Sequence, residues 1–116
     1  MPIVEVTCAS DVGEEQLVRL LQALPHAVSV AVECPEEPYD GQLQAGDLEI
    51  RSRALGPYDV SGLDFVVEVR SKWFASRAQD RQARCDRLRD MLVEAAGSRS
   101  IGVYLSLPVA AWSQVE

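Results

Sequence analysis

The stretch FVVEVRSK, residues 65–72, decides the fold. Phe65, Val67 and Val69 fall on one side of an extended chain and Val66, Glu68, Arg70 and Lys72 on the other. This is the alternation of a strand with one apolar face and one charged face. Downstream, Cys85, Leu88, Met91, Leu92 and Ala95 recur at helical spacing, which predicts a helix from about Arg77 to Ala96 with Gly97 as its stop. Ile101, Val103, Leu105 and Leu107 then alternate again until Pro108. The second half of the chain thus reads as strand, helix, strand.

The first half repeats the pattern. From Pro2 to Cys8 the residues are mostly β-branched, with Val4, Val6 and Cys8 on one face, so a strand opens the chain. Asp11 and Glu14 make a pair resembling a capping box, and Leu17, Leu20, Leu21 and Leu24 form a helical stripe that Pro25 is expected to end. Val28, Val30 and Val32 alternate over 27–33, which predicts a half-buried strand up to Cys34-Pro35. Residues 35–46, with Glu36, Glu37 and Asp40 among prolines and glycines, read as an exposed loop and the most mobile part of the chain. A short edge strand follows at Leu48 to Arg53, and Gly56-Pro57-Tyr58-Asp59 marks a turn.

The expectation is one α+β domain over 1–116, with halves at about 1–56 and 57–116. Two β-α-β units build a four-stranded mixed sheet, and right-handed crossovers put both helices on one face. The other face, carrying Val66, Tyr104, Arg70 and Thr7, is left bare and argues for self-association.

Composition narrows the function. The 116 residues carry 11 basic and 18 acidic side chains, a net charge of -7. A chain of that sign has no overall attraction for nucleic acid or anionic lipid. Residues 1–64 hold 3 basic against 12 acidic residues, whereas seven basic residues fall between Arg70 and Arg89. A small anion could find a positive pocket there. Cys8, Cys34 and Cys85 are scattered and His26 stands alone, so neither a metal site nor a cofactor site is expected, and the cysteines suit a reducing compartment. No apolar run is long enough to span a membrane, and the first residues lack a basic start followed by an apolar core, so a cytoplasmic location is expected.

One dipeptide points to chemistry. Loss of Met1 before the small residue Pro2 leaves a free secondary amine at the start of a strand. Its rigid ring aims the lone pair in a fixed direction, as a general base requires. Desolvation and nearby cations favour the neutral, basic form. With Met1 in place the same nitrogen is an amide and has no basicity.

Pro2-Ile3-Val4, the two β-α-β units and the segment Glu68-Val69-Arg70-Ser71-Lys72-Trp73-Phe74-Ala75-Ser76-Arg77-Ala78-Gln79-Asp80 resemble the tautomerase superfamily, with the nearest likeness in a bacterial branch of it. The resemblance implies a homotrimer whose three sheets form a central barrel. It also implies that Pro2 moves a proton between carbon and oxygen of a small 2-oxo or unsaturated carboxylate. On the same footing Arg70 and Arg77 are the candidates for holding the substrate carboxylate, Trp73 is an apolar wall, and Arg51 and Arg53 are weaker candidates.

Plainer readings stand beside these. Arg77, Arg81 and Arg84 beside Asp80, and Arg87 beside Asp86 and Asp90, have the spacing of a solvated helix face. Trp112 fits a clamp for the C-terminal tail, and Tyr104 an interface residue. A non-catalytic ligand-binding or assembly module on the same topology is the alternative function. A cysteine-dependent activity at Cys8 or Cys85 has only His26 as a possible partner.

Overall fold

The structure is a computed structural model that describes residues 1–115. Four strands, β1 (Ile3–Cys8), β2 (Glu49–Ala54), β3 (Phe65–Arg70) and β4 (Ile101–Ser106), form one mixed sheet in the order β2-β1-β3-β4. The helices are α1 (Glu14–Val32), α2 (Ala75–Gln79) and α3 (Arg81–Ala96), with a 3-10 turn at Pro38–Gln42. β1 runs parallel to β2, β3 parallel to β4, and the two pairs join antiparallel at the centre, where Val6 faces Val67. The architecture is therefore the expected α+β one, a four-stranded mixed sheet built from two β-α-β units.

The period of two holds through β3: Phe65, Val67 and Val69 are fully buried, as are Val4 and Val6 of β1. Leu20, Leu24, Leu88 and Leu92 of α1 and α3 pack against this face. The opposite face carries Glu5, Arg51, Glu68, Arg70 and Tyr104, and no element among the described residues covers it. Gly97 ends α3 in the left-handed conformation, φ 68°, as the sequence predicts. Among the described residues no helix is long and apolar enough to cross a membrane.

Two local expectations are corrected. α1 does not stop at Pro25 but continues to Val32, so the strand expected over 27–33 is helix. Its buried residues Leu20, Leu24, Ala27, Val28, Ala31 and Val32 follow helical spacing, and the packing of that stripe offsets the hydrogen bond an internal proline removes. The expected helix over 77–96 starts earlier, at Ala75, and breaks at Asp80, whose φ of -122° is not helical. The segment 35–46 is exposed over most of its length, as expected, with two buried anchors: Asp40 and Leu43 are buried, and the Leu43 N–H donates to the buried Ser29 hydroxyl at 2.8 Å.

The helix ends are stitched across the pair. Neither α1 nor α3 has a basic residue in its last turn. Arg84 of α3 donates to the carbonyls of Ala31 and Glu33 at the end of α1, and Arg19 of α1 donates to Ala96 at the end of α3. Each guanidinium meets carbonyls left without intrahelical partners and the negative end of the helix dipole.

Candidate functional site

The start of β1 brings Pro2 into the interior, where it is buried and its carbonyl accepts the Glu49 N–H at 3.0 Å. Met1, next to it, lines a cleft of about 490 Å³ together with Glu37, Tyr39, Asp40, Asp47 and Trp112. Three parts of the chain thus meet at one end of the sheet: the N-terminus, the segment around the 3-10 turn and the C-terminal tail. The tail is held there in part by its backbone, since the Trp73 N–H donates to the Pro108 carbonyl at 2.9 Å.

The carboxylates of the cleft are already engaged. Glu37 stands 3.6 Å from the Lys72 ammonium. Asp40 pairs with Arg77, and the Asp47 carboxylate accepts from the Tyr39 hydroxyl and the Gln44 N–H, both at 2.8 Å. The Gln44 N–H, followed by the Tyr39 hydroxyl, holds the Asp47 carboxyl below its ordinary range. The hydrogen bond to Asp47 in turn pushes the Tyr39 phenol up. The Tyr39 proton is therefore expected to leave above pH 10.0, so its contribution to stability is complete below that pH and is lost as pH rises through the raised value. The Asp47 contribution is complete above 3.8 and is lost as pH falls through its lowered value. Ultraviolet titration of a variant with phenylalanine at Tyr58 and Tyr104 isolates Tyr39. Asp47→Asn should bring the midpoint down, and an unchanged midpoint would remove Asp47 as the cause.

The expected site residues are dispersed by the fold. Arg70 lies opposite Ile3 across the ladder and on the uncovered sheet face, where its Nη2 bonds Glu5 and its buried Nε has no partner among the described residues. Arg51 shares the same Glu5 carboxylate at 3.5 Å, and Arg53 pairs with Asp59 at 3.0 Å. Arg77 is on the helix side and fully buried, its guanidinium over the Phe74 ring. Arg70 and Arg77 are thus on opposite sides of the sheet. Trp73 is half-exposed and does not line the cleft, whereas Trp112 does.

Sequence reasoning missed Glu37, Asp40 and Lys72. The one signal that could have found Asp40 is the acidic, proline-bracketed segment itself. Burial pushes the Cys85 thiol up, and its Sγ donates to the Val103 carbonyl, a setting that disfavours a nucleophilic thiolate. Among the described residues no three His, Cys, Asp or Glu side chains cluster as a metal site would require.

The fold of two β-α-β units joined antiparallel, with Pro2 buried at the sheet end beside a cleft, is similar to that of tautomerase-superfamily structures. Solved structures that match the chain include several members of that superfamily. Malonate semialdehyde decarboxylase matches with a TM-score of 0.68 at 17% identity, over 98% of this chain and 91% of that one. A fused wild-type 4-OT, an asymmetric trimer, matches with a TM-score of 0.62 at 17% identity, over 92% and 86%. MIF2 of Leishmania major matches with a TM-score of 0.59 at 14% identity, over 97% and 93%. No protein-family model matches the sequence, and no curated protein matches it. At these identities the likeness is one of fold.

Proposed function

We propose that this chain is a tautomerase-like isomerase. Pro2, freed by removal of Met1, moves a proton between carbon and oxygen of a small 2-oxo or unsaturated carboxylate. The observation that carries the reading is the position of Pro2: buried, at the start of β1, with its neighbour Met1 lining the cleft. Burial disfavours the ammonium form of a terminal amine and so favours the base. The decarboxylase that shares the fold has been studied as wild type and as a mutant in which its first residue, a proline, is alanine. Lys72, paired with Glu37 at the cleft wall, supplies the positive charge for a substrate carboxylate there, Arg70 being held by Glu5 on the uncovered sheet face, and Trp112 supplies an apolar wall.

The assembly proposed is a homotrimer of single-domain chains. Its support is the uncovered sheet face and the trimeric 4-OT relatives. A cytoplasmic setting accords with three free cysteines. The acidic lining of the cleft favours a second reading, a binding module without catalysis, because Glu37, Asp40 and Asp47 outnumber the cations beside it.

The test compares two forms of the protein separated by intact mass. The form lacking Met1 is expected to ketonise an enolpyruvate, at a rate that rises with pH as the Pro2 amine loses its proton and then levels. The form retaining Met1 is expected to be inactive. Equal rates in the two forms would overturn the proline mechanism, and no turnover by either form would leave the binding reading.

A further inference from the structure

We propose that Arg77 is a positioning residue of the cleft, one that sets the groups facing the substrate from behind and never touches the substrate itself. The inference rests on the reading of the cleft as the functional site. The Arg77 side chain is only 1% exposed, and its donors are nearly all used. Nε donates to the Val32 carbonyl, Nη1 to the Ser71 hydroxyl at 3.1 Å and the Lys72 carbonyl at 2.9 Å, and Nη2 to Asp40. That occupies four of the five N–H bonds a guanidinium has, in a site closed to solvent.

The partners matter more than their number. Val32 ends α1, Asp40 lies in the 3-10 turn, and Ser71 and Lys72 follow β3. Arg77 is where these three segments, distant in sequence, are tied together. Two of the tied residues bear directly on the cleft: Asp40 lines it, and Lys72 pairs with Glu37, which also lines it. The planar fork suits this task because its donors point in fixed directions, whereas a lysine would offer a single flexible point charge. The Ser76 hydroxyl adds a further tie to the same loop from the same helical turn, donating to Glu36 at 2.8 Å.

Stability and positioning make different predictions here. Breaking a buried ion pair on one side is costly, but replacing both members with apolar residues of similar size is often neutral or stabilising. The single variant Arg77→Met is therefore expected to lower the melting temperature, and the double variant Arg77→Met, Asp40→Leu to recover most of the loss. If Arg77 positions the cleft, the recovered double variant still exchanges the backbone amides of residues 36–43 at least tenfold faster than wild type, while amides of β1, β3 and α3 keep their protection. If Arg77 serves stability alone, protection of 36–43 returns with the melting temperature, and the proposal falls.

Arg77→Lys provides the arm that does not depend on the double variant folding. It keeps the charge beside Asp40 and loses the fork. Tenfold faster exchange over 36–43 in a folded Arg77→Lys protein supports the proposal, and wild-type exchange overturns it. In protein lacking Met1, the same variant should lower kcat for enolpyruvate ketonisation by tenfold or more. The exchange result decides the role of Arg77 whether or not the wild-type chain ketonises, so failure of the isomerase reading and failure of this one are separately visible.

Discussion

Replacing Pro2 by alanine, in protein whose mass shows that Met1 is gone, is expected to lower enolpyruvate ketonisation by about 10²-fold, the order that misplacing a catalytic group costs. The variant keeps a terminal amine, so the loss measures geometry more than basicity. A proline nitrogen is fixed by its ring, and its lone pair holds one direction as the chain enters β1; a primary amine rotates about its bond to Cα. The backbone contact at this point is untouched, because the Glu49 N–H bonds the carbonyl of residue 2 and not its side chain. The variant should therefore fold, with β1 and β2 still paired. Steady-state rates measured across pH on both proteins check the prediction. A rate equal to wild type would remove Pro2 from the mechanism.

The largest expected effect on stability belongs to Phe65. It is fully buried at the start of β3, between Cys8 of β1 and Ile101 of β4 in the sheet register. Phe65→Ala removes an aromatic ring from the layer between sheet and helices and leaves a cavity, at a cost of about 3–5 kcal/mol. Against a total stability of roughly 5–15 kcal/mol for a domain, that is a large share. Denaturant titration should show the midpoint falling with little change in slope. Tyr104→Ala is the contrast, since Tyr104 is 72% exposed on the opposite face of the sheet. In the dilute single chain its cost should lie within about 0.5 kcal/mol. A Phe65→Ala loss no greater than that of Tyr104→Ala would contradict the assignment of the two faces.

Strands β1, β3 and β4 were legible because each shows its buried face in the sequence: Val4 and Val6, then Phe65, Val67 and Val69, then Ile101 and Leu105; β2, at the sheet edge, has only Ile50 half-buried. The end of α3 was legible because Gly97 adopts the conformation that glycine most readily accepts. The second half of α1 was not. Val28, Val30 and Val32 look like a strand, and the residues that complete the helical stripe, Ala27 and Ala31, are too small to stand out beside them. Pro25 strengthened the wrong reading, because a proline inside a helix persists only where tertiary packing outweighs its cost, and that packing is invisible in one sequence.

Of the proposed site, only Pro2 announces itself in the sequence. Asp40 does not, because its partner Arg77 is 37 residues away and no local spacing links the two. Lys72 and Glu37 were hidden for the same reason. Trp112 could be read as a clamp for the tail but not as part of the cleft, since which wall a tail reaches depends on how the sheet end is closed.

The arginines at the ends of α1 and α3 make the two halves of the chain depend on each other. Arg19 belongs to the first half and caps a helix of the second, while Arg84 belongs to the second and caps a helix of the first. A half taken alone would keep its own strands and helix but lose the guanidinium at that helix's end, as well as the central pairing of β1 with β3. Fraying at one helix terminus therefore withdraws a cap from its neighbour, so that loosening spreads across the boundary between the repeats. What reads as a duplication along the sequence behaves, in its hydrogen bonding, as a mutual embrace in which neither copy is complete.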